Sequence, residues 1–157
     1  MGRMSKGDQL AQVLGTLDEV NSWIGVCRSQ LSVDSYQLTT IDKELKRIQN
    51  NIMIITTSLA GSKKRMKPGE VKHLEILIDK LTEEMPPLNK FIYPVGYLQL
   101  ARAECRRCER EVVSYQLTVS SLPDGQILRY LNRLSDALFT MGRWVNFKMG
   151  IVEEKWE

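Results

Sequence analysis

The chain has 157 residues, 43% hydrophobic and 26% charged, with a formal net charge of +3. That suits one domain, residues 1–157, with a single substantial core, and the charge alone is too small to argue for nucleic acid. No apolar run reaches the length of a membrane span and no signal peptide is evident, so the three cysteines, Cys27, Cys105 and Cys108, are expected as reduced thiols in a cytoplasmic setting.

Lys6-Gly7-Asp8 precede any strong periodicity. Leu14, Leu17, Val20, Ile24, Cys27 and Leu31 then follow helical spacing, with Asp18, Asn21 and Ser22 on the polar side, until Ser32–Ser35 breaks the pattern. From about Thr39, Ile41, Leu45, Ile48, Ile52, Ile55 and Leu59 recur at alternating intervals of four and three, one seam of a helix bundle. A basic loop runs from Gly61 to Pro68-Gly69. A short helix from Glu70 shows Leu74, Leu77 and Leu81 and ends before Pro86-Pro87. Leu88–Tyr97 reads as extended or turn-like, punctuated by Pro94 and Gly96.

The next helix carries Ala101, Cys105, Cys108 and Val112 as its apolar seam and continues to about Leu117. Beside the seam stand Arg102, Arg106 and Arg110, one turn apart, with Glu109 on the same flank. Like charges so stacked repel by roughly 0.2–0.5 kcal/mol per exposed pair. They make sense in front of an anion, since each guanidinium is a fork of donors matched to phosphate or carboxylate. A solvated face with local Glu partners is the plainer alternative. The C-R-R-C spacing offers half a zinc site without its second half, and the chain has one histidine, His73.

After Pro123-Asp124-Gly125, Ile127, Leu131, Leu134, Leu138, Met141 and Val145 form the last seam. Asn132, Ser135, Asp136, Phe139, Arg143 and Asn146 share the neighbouring face. Short polar groups clustered with a Phe point to a partly dry site, and with the arginine helix they offer room for a polyphosphate or nucleotide. No segment has strand periodicity. The expected fold is all-α, a bundle of about five helices.

Four ordered blocks carry a resemblance: G-T-L-D-E-V-N-S (15–22), F-I-Y-P-V-G (91–96) after P-P-L, R-A-E-C-R-R-C-E-R-E-V-V (102–113) and Y-L-N-R-L-S-D-A-L-F (130–139). Together, over essentially residues 6–147, they resemble the PduO-type ATP:corrinoid adenosyltransferases. The resemblance implies a five-helix bundle assembled as a homotrimer, with active sites between subunits. It further implies transfer of the 5′-deoxyadenosyl group of ATP to the cobalt of reduced cobalamin, with release of triphosphate. ATP and cobalamin would be substrates and Mg²⁺ the accompanying cation, held chiefly by phosphates, with no metal ligand identified in the protein. A flavin-dependent corrinoid reductase would be a partner, and nucleic acid and membrane would not.

By position, Lys6, Arg106, Arg107, Glu109, Arg110 and Asn132 match the ATP side. Asp18 and Arg102 match an aspartate–arginine pair formed across the subunit interface beside the corrinoid, where Asp136 is also placed. Phe91 matches the phenylalanine that crowds the lower face of the corrinoid; without the resemblance, it would be read as a plug for the end of the bundle. The chain departs from the family pattern in places. Nothing before Lys6 resembles the T-G-D-x-G-x-T phosphate loop, Gly7 interrupts the usual K-D-D, Gln12 stands where Glu is usual, and the stretch from Pro94 to Arg102 is shorter. A non-catalytic bundle of the same ancestry that binds a nucleotide or corrinoid is therefore the alternative to the enzyme.

Overall fold

The computed structural model describes residues 5–31 and 36–157, and five helices account for most of them: α1 Lys6–Gln30, α2 Tyr36–Leu59, α3 Glu70–Glu83, α4 Tyr97–Gln116 and α5 Ile127–Lys148. The all-α expectation holds. Among the described residues the only β pairing is one antiparallel bridge, Ile92 with Lys155. The expected break at Ser32–Ser35 and the residues before Ser5 lie outside the described residues.

α1 starts well before its apolar stripe because a cap decides its beginning. The Ser5 hydroxyl accepts from the Asp8 amide at 3.1 Å and the Asp8 carboxylate accepts from the Ser5 amide at 3.2 Å, satisfying two donors that a helix start leaves free. α4 likewise begins earlier than Ala101 suggests, at Tyr97. Gly96 takes φ +97°, which lets the chain turn sharply out of the loop, and the Tyr97 ring stacks on Trp23 of α1.

The seams read from the sequence all face inward. Ile41, Leu45, Ile48, Ile52, Ile55 and Leu59 of α2 are buried, as are Ala101, Cys105, Cys108 and Val112 of α4 and Ile127, Leu131, Leu134, Leu138, Met141 and Val145 of α5. α1 packs on α2 and α4, α4 on α5, and α5 on α3. Burial raises the Cys108 thiol to about 11 and the Cys105 thiol well above its ordinary value, and Cys105 Sγ donates to the Leu131 carbonyl at 3.4 Å. Protonated thiols inside a core are packing groups, neither nucleophiles nor ready ligands.

One polar cluster crosses this core. Arg47 of α2 donates Nε and Nη2 to the Glu70 carboxylate of α3 at 2.9 and 3.0 Å; Asn51 Nδ2 reaches the same carboxylate at 2.8 Å and the buried Tyr130 hydroxyl of α5 at 3.1 Å. Burial works against the Glu70 charge, yet the bonds from Arg47 and Asn51 hold its pKa below the usual value. Its contribution is therefore full above the unfolded-state pKa of about 4.3 and is lost as pH falls through the lower folded-state value. Glu70→Gln is expected to cost about 1–2 kcal/mol at neutral pH. In urea unfolding, the gap between variant and parent should close on acidification below about pH 4. A gap independent of pH would remove the carboxylate from the account.

Candidate functional site in the α4–α5 groove

α4 and α5 run antiparallel, as three cross-contacts at successive levels show. Gln99 Nε2 donates to the Phe139 carbonyl at 3.2 Å, Cys105 meets the Leu131 carbonyl, and Asn132 Nδ2 donates to Glu109 Oε1 at 3.0 Å. Because the seam of α4 turns inward, its neighbouring flank lies along the outer edge of this contact. Arg102, Arg106, Glu109 and Arg110 therefore form a row facing Asn132, Asp136 and Phe139.

At one end of the row lies a cavity of about 800 Å³. Its wall includes Phe91, Ile92, Gln99, Arg102, Phe139 and Trp156, mostly apolar with one guanidinium. Phe91 is 80% exposed, so it presents its ring to this space and does not plug the bundle. Its loop is held from behind. Tyr93 N–H donates to the Glu154 carbonyl at 2.9 Å, Trp156 N–H to the Phe91 carbonyl at 2.8 Å, and Asn146 Nδ2 to the Val95 carbonyl at 3.1 Å.

Further along the row, Arg106, Glu109, Arg110, Val113 and Ser114 line a second cavity of about 420 Å³. Among the described residues neither Arg106 nor Arg110 has an ion pair or side-chain hydrogen bond, and both are exposed. Two unpaired guanidiniums a turn apart, with an amide fixed beside them by Glu109, form a ready receptor for a polyanion.

Other expected site residues lie apart within one chain. Arg107 sits on the opposite flank of α4, in ion pairs with Glu19 of α1 and with Glu104, the latter at 3.2 Å. Lys6 is exposed in the first turn of α1 and Asp18 is exposed midway along it, and neither has an ion pair among the described residues. Since Trp23 lies beside Tyr97 and Glu19 beside Arg107, α1 runs antiparallel to α4 and Lys6 falls toward the C-terminal end of that helix. Asp136 pairs with Arg133 at 3.1 Å at the edge of the groove.

The polar face read on α5 divides by depth. Ser135 is buried and donates back to the Asn132 carbonyl at 2.9 Å, which satisfies it inside its own helix. Arg143, also buried, donates to Glu153 at 2.5 and 3.2 Å and to the Pro86 carbonyl at 3.2 Å. It thereby ties the start of the Phe91 loop to the segment carrying Trp156. Sequence reading passed over Trp156 and Gln99. Trp156 belongs to no periodic element, and its place depends on pairing with a loop more than sixty residues away. Gln99 lies between the end of the extended stretch and the first seam residue, Ala101, and only the early start of α4 brings it into the contact with α5.

The cobalamin adenosyltransferase family model matches residues 1–145. The chain is 34% identical to the corrinoid adenosyltransferase MMAB of Bos taurus, over 97% of this chain and 67% of that protein. It is 36% identical to the Homo sapiens MMAB protein, over 97% and 65%, so it spans about two thirds of the length of these mammalian relatives. The corrinoid adenosyltransferase of Bacillus subtilis is 36% identical, over 99% of this chain and 84% of that one. Among solved structures, a variant of the PduO-type adenosyltransferase of Lactobacillus reuteri complexed with ATP superposes with a TM-score of 0.84 at 29% identity, covering 98% of this chain and 90% of that one. A second variant of that protein, complexed with cobalamin and ATP, gives 0.84 at 28% identity, over 98% and 89%.

Proposed function

The chain belongs to the cobalamin adenosyltransferase family, and from that premise we propose that it transfers the 5′-deoxyadenosyl group of ATP to the cobalt of reduced cobalamin. What carries the assignment is one arginine row joining two unlike cavities. Among the described residues Arg106 and Arg110 have no ion pair at the nucleotide end, and Phe91, Phe139 and Trp156 wall the end suited to a large apolar-faced macrocycle.

The chemistry asks little of the protein beyond placement and charge. Co(I) is itself the nucleophile and donates its electron pair to the ribose 5′ carbon. The cobalt–carbon bond forms, the carbon–oxygen bond breaks, and triphosphate leaves with that bond's electron pair. Negative charge therefore grows on the leaving oxygens, where Arg106 and Arg110 would stabilise it, joined by Lys6 from a neighbouring copy of the chain, and Asn132 would hold the nucleotide. Magnesium belongs to the proposal as the companion of the triphosphate, with phosphate oxygens as its chief ligands. Among the described residues no three His, Cys, Asp or Glu side chains cluster to hold it. A flavin-dependent corrinoid reductase would supply the electron that converts Co(II) to Co(I), and the reaction is placed in the cytoplasm. No helix among the described residues is long and apolar enough to cross a membrane.

We further propose a homotrimer with sites between subunits. Among the described residues Asp18 is exposed and has no ion pair, Arg102 has only a neutral partner, and Val113 and Leu117 are exposed apolar residues of α4 and its cap. A carboxylate and a guanidinium left open on neighbouring helices suit an interface between copies. Sedimentation equilibrium at micromolar concentration is expected to return three chain masses, and a monomer would remove the shared site.

The decisive assay supplies ATP, Mg²⁺, cobalamin and a chemical reductant and follows formation of the cobalt–carbon bond by absorbance. Corrinoid-dependent release of triphosphate should accompany it. Binding of ATP and cobalamin without turnover would instead favour the non-catalytic bundle.

A further inference from the structure

We propose that Gln99 is the positioning residue for Arg102, and that Gly142 is small because Gln99 must occupy the space beside it. Gln99 is 4% exposed, and an amide that deeply buried needs partners for both ends. It has them: Nε2 donates to the Phe139 carbonyl at 3.2 Å, and Oε1 accepts from Arg102 Nε at 3.0 Å. A carbonyl can only accept and a guanidinium can only donate, so both neighbours demand the same orientation of the amide.

The fit comes from a close approach of α4 to α5. A Cβ at Gly142 would stand 2.7 Å from Gln99 Nε2, and 3.3 Å from both its Cδ and Leu98 Cβ. The amide is pinned at both ends, so any side chain at 142 would push it off its two partners.

The choice of an amide matters electrically. Gln99 fixes the inner edge of the guanidinium without cancelling its charge. The outer edge has no hydrogen bond among the described residues and lies on the wall of the 800 Å³ cavity, which Gln99 and Arg102 both line. A glutamate of the same shape would neutralise Arg102 and leave the Phe139 carbonyl without the side-chain donor. The arrangement delivers an oriented, fully charged fork to an acceptor outside this chain's own fold. This inference rests on the corrinoid site proposed above and assigns the residues that aim its arginine.

The test uses the full chain with cobalamin and ATP. Gln99→Met keeps length and burial but removes both bonds; it is expected to raise the KM for cobalamin about tenfold with the KM for ATP unchanged, the scale of one hydrogen bond to a charged group. Gly142→Ala is expected to act in the same direction. In an Arg102→Ala background, Gln99→Met should add nothing, because its effect passes through the guanidinium. An unchanged cobalamin KM, an equal rise in both KM values, or full additivity with Arg102→Ala would each overturn the proposal. A parent that binds no cobalamin in equilibrium titration overturns the corrinoid site, and this inference with it. A parent that binds, with Gln99→Met behaving like it, overturns this inference alone.

Discussion

Phe91→Ala is expected to lose adenosylation starting from Co(II) by about a hundredfold, equivalent to a barrier higher by about 3 kcal/mol, with ATP affinity little changed. The proposed role is to crowd the lower face of the corrin ring and keep water or the axial base away from cobalt. Without an axial donor, the orbital that must accept the electron lies lower and reduction to Co(I) becomes easier. The geometry suits such a part. The ring is 80% exposed toward the large cavity, while its backbone is fastened by the bridge to residues 154–156. Because little of the ring is buried, stability should change by no more than about 0.5 kcal/mol, and lost activity would not be lost fold. The measurement is the absorption or EPR spectrum of Co(II)-cobalamin bound with ATP. The parent should show a four-coordinate species that the variant lacks, and identical spectra would reject the role.

Much of this is legible in the sequence. The seams of α2, α4 and α5 are dictated by helical spacing, and every one of their apolar positions is buried. The arginine row was legible too, because i, i+4, i+8 spacing fixes a face whatever the tertiary context. Depth and partnership were not. Helical spacing sets Arg106 on the row and Arg107 off it, but it does not give their partners: among the described residues Arg106 has no ion pair, and Arg107 is tied to Glu19 and Glu104. Arg143 reads as a site cation, but it is spent on Glu153, a residue whose position only the folded chain decides. The starts of α1 and α4 escaped for a related reason. A capping box at Ser5 and a left-handed glycine at 96 set them, and neither lies on the apolar stripe.

That contrast between adjacent arginines gives the second large effect. Arg106→Ala is expected to weaken ATP binding by about 1.5–3 kcal/mol, roughly 10- to 150-fold in Kd, the range for a hydrogen bond to a charged group. Among the described residues Arg106 has no ion pair or side-chain hydrogen bond, so its donors are available to a phosphate without first breaking one. Three guanidiniums of the row outweigh the carboxylate of Glu109, which is itself engaged by Asn132, and that of Asp136, which is paired with Arg133. The field along the groove is therefore positive where the triphosphate would lie. Arg107→Ala is the control, since its ion pairs with Glu19 and Glu104 are surface pairs worth about 0–1 kcal/mol, and binding by one chain's groove should barely notice their loss. Arg106→Lys should recover part of the affinity, keeping the charge but not the planar fork. Isothermal titration with MgATP on folded variants separates the cases. If Arg107→Ala proves the more damaging, the nucleotide lies on the α1 flank of α4, and the groove with Asn132 is not its site.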